Sequence, residues 1–429
     1  MVAEIKNYFT SLLAEPVPFI KKHSMKILFI NQVSRNHGDE AACLALTRTL
    51  YDSGYKNITI SYNNNHLWNE RCFIKHKDVR QIWSIPVSKW ERRSVKLYLI
   101  FPSIITKLIF FLFSNLRIQY NCIKNADFVV SMPGGPNLGK YEDIIYLWRI
   151  YVANKLGKRY AIYSPSIGPF NANKPYYVRR AKKVLSEANF VSLRDMQSYS
   201  YAQELGIKFH KAIDTAFLES PDYALPKEIE VMLPEKYVVI VPHELYKWHR
   251  DFTAYSKNDF DSFFRRLIDK FVSNGEKIVL LPQTYESHLD DERYFYELSS
   301  NKPNIIVVPT KYPSDIQQKI IAKAEYVVGA RYHTIVFAIN NKTPFFCLSY
   351  EHKMIDMLRI LGMEKSLLGI DDALKNPESA TSIIFSCFMS RCEIMAKLVE
   401  AHMLAKKIAR GNFSEFTGIL KNTAKAIIG

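Results

Sequence analysis

MKILFIN (Met25 to Asn31), QVSRNHGD (Gln32 to Asp39) and EAACLALTRTL (Glu40 to Leu50) are consecutive segments with three different patterns. The first is a short apolar run of strand length. The second is polar and contains Gly38, which gives the backbone freedom to turn. The third carries apolar residues at helical spacing. A strand covered on both faces reads as a continuous apolar run rather than an alternating one, so this unit predicts a parallel strand followed by its helix. The unit recurs along the chain, and this recurrence sets the fold class.

Further strands are expected at Ile58 to Tyr62, Phe128 to Met132, Arg159 to Tyr163 and Phe190 to Leu193, with helical stretches between most of them. The alternation pauses over Leu218 to Pro234, where Pro221, Pro226 and Pro234 interrupt regular structure, and residues 218–236 read as a linker. It restarts with Tyr237 to Val241, Lys277 to Leu281, Asn304 to Val308, Tyr326 to Gly329 and Pro344 to Leu348. The expectation is an α/β protein with two Rossmann-like domains, 25–217 and 237–380, each built on a parallel sheet. Such domains bind ligands in the cleft between them, at the carboxyl ends of the strands. Three segments lie outside the alternation: an extension at 1–24 with an amphipathic patch (Ile5, Tyr8, Phe9, Leu12, Leu13), an insertion at 86–121, and helices at 381–429.

The 429 residues carry 58 Lys+Arg against 42 Asp+Glu, a net charge of +16. That excess points to anionic partners and leaves nucleic acid, lipid and phosphorylated substrates open. With 48% hydrophobic and 23% charged residues, the composition excludes a collagen, a disordered tail protein and a disulfide miniprotein. The six cysteines form no CxxC pair, so neither a zinc site nor a disulfide framework is expected, and no metal. Glu4, Glu15, Pro16 and Pro18 replace the basic start and apolar run of a signal peptide, which predicts a cytoplasmic protein.

Within the insertion, LYLIFPSIITKLIFFLF (Leu97 to Phe113) is almost wholly apolar. Lys89, Arg92, Arg93 and Lys96 precede it and Arg117 follows it. Pro102 and Lys107 near its centre argue against a spanning helix, which needs about 20 apolar residues. The basic flanks fit a helical hairpin lying in a membrane interface, peripheral at the inner face of the cytoplasmic membrane. A buried helix, or one packed on a second subunit, is the competing reading.

Four strand ends carry chemistry. After the first, Asn36, Gly38 and Asp39 open a helix; Asp39 either caps that helix or accepts a proton from a substrate hydroxyl. After the strand at Phe128, the pair Gly134-Gly135 is either a tight turn or a place where a ligand nears the backbone. Arg194 ends the strand at Phe190 and either binds a carboxylate or phosphate, or is neutralised by Asp195 or Asp214. Arg331 and His333 stand at the start of a helix in the second half, joining a fixed cation, an imidazole that exchanges protons near neutral pH, and a positive helix end. Gln283 and Lys353 lie at other strand ends of that half.

In order, Ser34-x-Asn36-x-Gly38-Asp39, Gly134-Gly135, Ser166-Ile-Gly168-Pro169-Phe170, Ser192-Leu-Arg194-Asp195, Gly329-Ala-Arg331-Tyr-His333 and Tyr350 with Lys353 resemble the polysaccharide pyruvyl transferase family. The resemblance covers about residues 25 to 365. Tyr332 stands where a leucine is common, and Met132-Pro133 stand where further glycines are common. It implies a GT-B-like fold and transfer of a pyruvyl group from phosphoenolpyruvate to a sugar, with no cofactor beyond that donor. Carried across, Arg194, Arg331, His333, Lys353, Gly134 and Gly135 bind the donor, and His333 is the general acid. Asn36, Asp39 and Gln283 face the acceptor, a sugar or lipid-linked oligosaccharide, and His333 and Asp39 are the catalytic pair. A nucleotide-sugar glycosyltransferase on the same fold is the first alternative. A non-catalytic basic protein that binds membrane or nucleic acid is the second, though the cations are scattered and form no continuous basic face, so no nucleic-acid partner is expected.

Overall fold

The apolar runs form strands whose residues are buried on both faces. In the computed structural model, which describes residues 25–33, 36–63, 79–83, 87–219, 224–286, 289–300 and 302–428, the first half holds nine strands, edge strands included. They are β1 (Ile27–Gln32), β2 (Ile58–Tyr62), β3 (Arg80–Trp83), β4 (Phe128–Ser131), β5 (Leu138–Gly139), β6 (Arg159–Ile162), β7 (Ile167–Gly168), β8 (Phe190–Leu193) and β9 (His210–Lys211). The second half holds β10 (Val238–Val241), β11 (Ile278–Leu280), β12 (Tyr285–Glu286), β13 (Leu289–Asp290), β14 (Ile305–Val307), β15 (Tyr326–Gly329), β16 (Phe345–Ser349) and β17 (Leu367–Gly369). The amphipathic patch before Met25 and Ser34 of the first motif lie outside the described residues.

Two parallel sheets result, ordered β3-β2-β1-β4-β6-β8-β9 and β14-β11-β10-β15-β16-β17. Ile27 of β1 lies opposite Ile58 and Phe128, and Val238 of β10 lies opposite Ile278 and Tyr326. In each sheet the order runs outward from the first strand and then reverses beside it, between β1 and β4 and between β10 and β15. Connections leave such a point toward opposite faces and open a crevice at the carboxyl ends of the two strands. The chain is therefore a GT-B-like pair of doubly wound domains.

The central strands fall where the apolar runs predict them, to within a residue or two. The edge strands β3, β9 and β17 have no such run; β9 consists of the exposed pair His210–Lys211. The Pro-rich stretch between the sheets contains a short helix, Lys227–Met232. Leu97 to Phe113 is not one element. The helix Lys89–Ile100 ends before Pro102, the helix Ile104–Phe111 follows within the segment, and the helix Ser114–Asn125 begins just after it. Capping boxes at Ser88/Glu91 and Ser103/Thr106 start the first two. Their inner faces are buried: Tyr98 meets Tyr151, and Phe110 meets Trp148, both edge-on, from the helix Ile144–Lys155. Among the described residues no helix is long and apolar enough to cross a membrane.

The domains are joined along one side of the cleft. The helix His37–Asp52 of the first domain rests on the second: His37 N donates to the Gln283 carbonyl at 3.0 Å, and Arg48 pairs with Asp315 at 2.8 Å. The long helix Met395–Ile428 touches both domains. His402 Nδ1 lies 3.2 Å from the Ile339 carbonyl of the second domain, while Asn412 donates to Ser164 of the first at 3.1 Å. Phe416 on the same helix packs against Phe128, Tyr163 and Phe190.

Candidate active site

Asn36, not Asp39, caps the helix after β1: its Oδ1 accepts from Gly38 N at 2.8 Å. Among the described residues no group donates a hydrogen bond to the Asp39 carboxylate, which lines the cleft. Burial raises its pKa above the ordinary value, and the charges of His333, Arg194 and Lys353 offset this only in part. Gly38 faces His333 of the second domain directly. A Cβ at Gly38 would stand 1.8 Å from Nδ1 and 1.9 Å from Cγ of His333, so the imidazole sits where a side chain would have been. Glycine here is a requirement of approach between domains and not of the turn: Gly38 lies in the first turn of the helix, without a positive φ.

His333 lies in the first turn of the helix Tyr332–Asn341, which starts after β15 with Arg331 at the N-cap position. Its Nε2 is 3.5 Å from Asp214 Oδ2, yet it is buried and makes no hydrogen bond among the described residues. Asp214 in turn takes Nη1 of Arg194 at 2.7 Å. Burial alone would raise the pKa of Asp214; His333 and Arg194 instead hold it well below the ordinary carboxylate range. Asp195, the other partner offered to Arg194, caps the helix Met196–Glu204. Arg194 Nη2 donates to the Gly134 carbonyl at 2.8 Å, which ties the two strand ends together. Its guanidinium lies 5.1 Å from the ring centre of Tyr332.

Arg331 donates to Thr284 Oγ1 at 2.9 Å and to the Asp291 carboxylate, while its buried Nε is without a hydrogen bond among the described residues. Asp291 Oδ2 accepts from the backbone N–H groups of Gln283 and Thr284, each at 2.9 Å. Lys353 pairs with Glu351 at 2.7 Å and lies over the ring of Tyr332. Burial works against the Lys353 charge, but Tyr350 and Glu351 keep its pKa above the ordinary value. A Cβ at Gly134 would meet only Asn137, at 3.6 Å, so the space beside this glycine is open.

A cavity of about 370 Å³ brings these groups together. Asn36, Asp39, Gly134, Gly135 and Arg194 border it from the first domain, and Gln283, Arg331, His333 and Lys353 from the second. Its volume is that of a small-molecule site. Gln283 borders it with its side-chain amide turned to Gln317 at 3.1 Å. The pocket is not simply cationic, and of the two readings open for Arg194 the neutralised one forms, with Asp214 as its partner. Arg194, Arg331 and Lys353 each have a carboxylate partner, Asp214, Asp291 and Glu351, so charge is balanced and the cations are held in place. Asp291 and Thr284 were not among the sequence candidates: an aspartate in the acidic run Asp290-Asp291-Glu292 reads as a helix start. Trp248 and Tyr141 also line the cavity and carry no local signal of it.

Two facing doubly wound sheets with a ligand-sized cavity at their switch points define a GT-B-like protein. Among solved structures, Anabaena Alr3699/HepE in complex with UDP shares this fold, with 9% identity and a TM-score of 0.55 over 93% of this chain and 100% of that one. So does UDP-GlcNAc 2-epimerase from Methanocaldococcus jannaschii, with 12% identity and a TM-score of 0.53 over 84% and 92%. The polysaccharide pyruvyl transferase model matches residues 36–352, and the chain belongs to that family. The amylovoran biosynthesis protein AmsJ of Erwinia amylovora is 25% identical over 214 residues, which is 46% of this chain and 51% of AmsJ. The chain thus spans about half the length of this curated relative.

Proposed function

We propose that the cleft transfers a pyruvyl group from phosphoenolpyruvate to a sugar of a cell-surface or exopolysaccharide precursor, closing a ketal and releasing phosphate. The observation that carries this reading is the seat of His333 on Gly38, one residue from Asp39. It brings an imidazole whose buried Nε2 makes no hydrogen bond among the described residues, and only an ion-pair contact with Asp214, beside a carboxylate with no hydrogen-bonding donor among those residues. Family membership supports the choice of donor.

In this reading, His333 protonates the methylene carbon of the enol, leaving positive charge on the neighbouring carbon. A sugar hydroxyl attacks that carbon while Asp39 takes its proton. The C–O bond to phosphate then breaks, and a second hydroxyl attacks to close the ring. One hydroxyl proton replaces the one given to the methyl group, and the other leaves with the phosphate. Arg194, Arg331 and Lys353, already fixed by their carboxylates, stabilise the donor carboxylate and the departing phosphate without reorganising.

Incubation with phosphoenolpyruvate and polysaccharide precursors should release phosphate and add the mass of a carboxyethylidene group to the glycan. His333→Ala should lose phosphate release while remaining folded. A nucleotide sugar that is turned over where phosphoenolpyruvate is not would replace this reading with a glycosyltransferase.

A further inference from the structure

The helix Ile104–Phe111, IITKLIFF, is apolar around most of its circumference. One side is fully buried through Phe110, but Ile104 is 78% and Leu108 is 62% exposed. Leu112, at 80%, continues that stripe by the four-residue step that stacks side chains on a helix face, and Phe101 and Trp90 extend it at 64% and 66%. A helix that is apolar on both sides needs a second apolar partner. Among the described residues no other part of the chain supplies one.

Charge identifies that partner. From Lys89 to Asn125 the chain has seven basic side chains against the single acid Glu91, and Glu91 is consumed by the capping box at Ser88. Arg92, Arg93, Lys96 and Arg117 are exposed around the apolar stripe. A cavity of about 230 Å³ opens at its edge, between Lys107 and Lys155, with Tyr98, Tyr120 and Ser103 in its wall. Lys107 lies 4.7 Å from the ring centre of Tyr120. Among the described residues neither lysine has a carboxylate within ion-pair distance. In the active site, by contrast, Arg194, Arg331 and Lys353 each have one.

We propose that this face docks on an anionic phospholipid bilayer. Phe101, Ile104, Leu108 and Leu112 enter the acyl boundary, the surrounding cations meet the headgroup layer, and Lys107 with Lys155 takes one lipid phosphate. The platform is coupled to the cleft, because Arg92 lies 3.9 Å from Asp143. Asp143 caps the helix Ile144–Lys155 directly after the loop that brings Asn137 and Tyr141 to the cavity. The proposal concerns location and is independent of the identity of the donor.

The test is sedimentation of the full chain with phosphatidylcholine vesicles, with and without phosphatidylglycerol. Wild type should pellet with the anionic vesicles and be released by salt. Ile104→Glu/Leu108→Glu/Leu112→Glu should weaken that binding by more than about tenfold. Lys107→Ala/Lys155→Ala should weaken it by roughly fivefold per charge and reduce, without erasing, the preference for anionic lipid that the remaining cations support. Because all the apolar positions are exposed, the variants should keep wild-type circular dichroism. Wild type left in the supernatant with anionic vesicles at low salt overturns the proposal, and so does equal binding by the triple variant. Self-association abolished by the triple variant, with no vesicle binding, would assign the face to a second copy and also overturn it.

Discussion

Gly38→Ala sets two physical effects against each other. Gly38 occupies the first turn of the helix His37–Asp52, where alanine is favoured over glycine by about 0.8–1 kcal/mol. Helix propensity alone therefore predicts a more stable protein. The added methyl group, however, would stand 1.8 Å from His333 Nδ1, and ordinary contact begins near 3.4 Å, so the imidazole must move by about 1.6 Å. Overpacking of this kind costs about 1–3 kcal/mol, which outweighs the propensity gain. Misplacing a catalytic group by about 1 Å costs on the order of 100-fold in rate. The variant should therefore be less stable by up to about 2 kcal/mol in urea denaturation and lose about 100-fold in phosphate release. Adding His333→Ala removes the two closest atoms and should recover part of the stability but none of the turnover. Gly411→Ala and Gly418→Ala are the controls: both glycines lie in the helix Met395–Ile428 with open space beside them, and each change should stabilise by up to about 1 kcal/mol. Gly38→Ala with wild-type turnover would refute the contact between the domains as the organiser of the site.

Asp39→Asn should lose about 100-fold in turnover and yet gain stability at neutral pH. The raised pKa of Asp39 means that its ionised form opposes folding, and the gain should fade as pH falls through that pKa toward the unfolded value of 3.8, where both states are protonated. Asp214→Asn breaks a buried ion pair and should cost about 3–5 kcal/mol in chemical denaturation. The pKa of Asp214 is depressed, so this difference should be complete above the unfolded value of 3.8 and shrink as acid titrates the folded carboxylate. Tyr332→Leu removes the ring shared by Arg194 and Lys353. It should cost about 0.5–2 kcal/mol, read as a rise in KM for phosphoenolpyruvate larger than the fall in kcat.

What the sequence reveals follows from how each signal is written. The central strands are legible because a strand buried on both faces is apolar almost throughout, as in Val238 to Val241. Edge strands escape this demand, and His210–Lys211 shows nothing that periodicity could detect. The cations of the cleft are legible because Arg194 and Arg331 each end or follow an apolar run. Their partners are not, since Asp291 lies 40 residues before Arg331 and the pairing exists only once β11 and β15 flank β10. The same limit applies to the cap after β1. Asn36 and Asp39 are both competent caps by type, and only the backbone geometry gives the task to Asn36, leaving the Asp39 carboxylate to the cavity.

The helix that carries Phe416 also constrains how the molecule is made. Phe416 fills a gap among Phe128, Tyr163 and Phe190, so the first domain is closed by a side chain that follows all of the second domain in the chain. During synthesis the first sheet therefore emerges well before the side chain that completes this cluster, and the packing of the first domain is finished only when the last helix arrives.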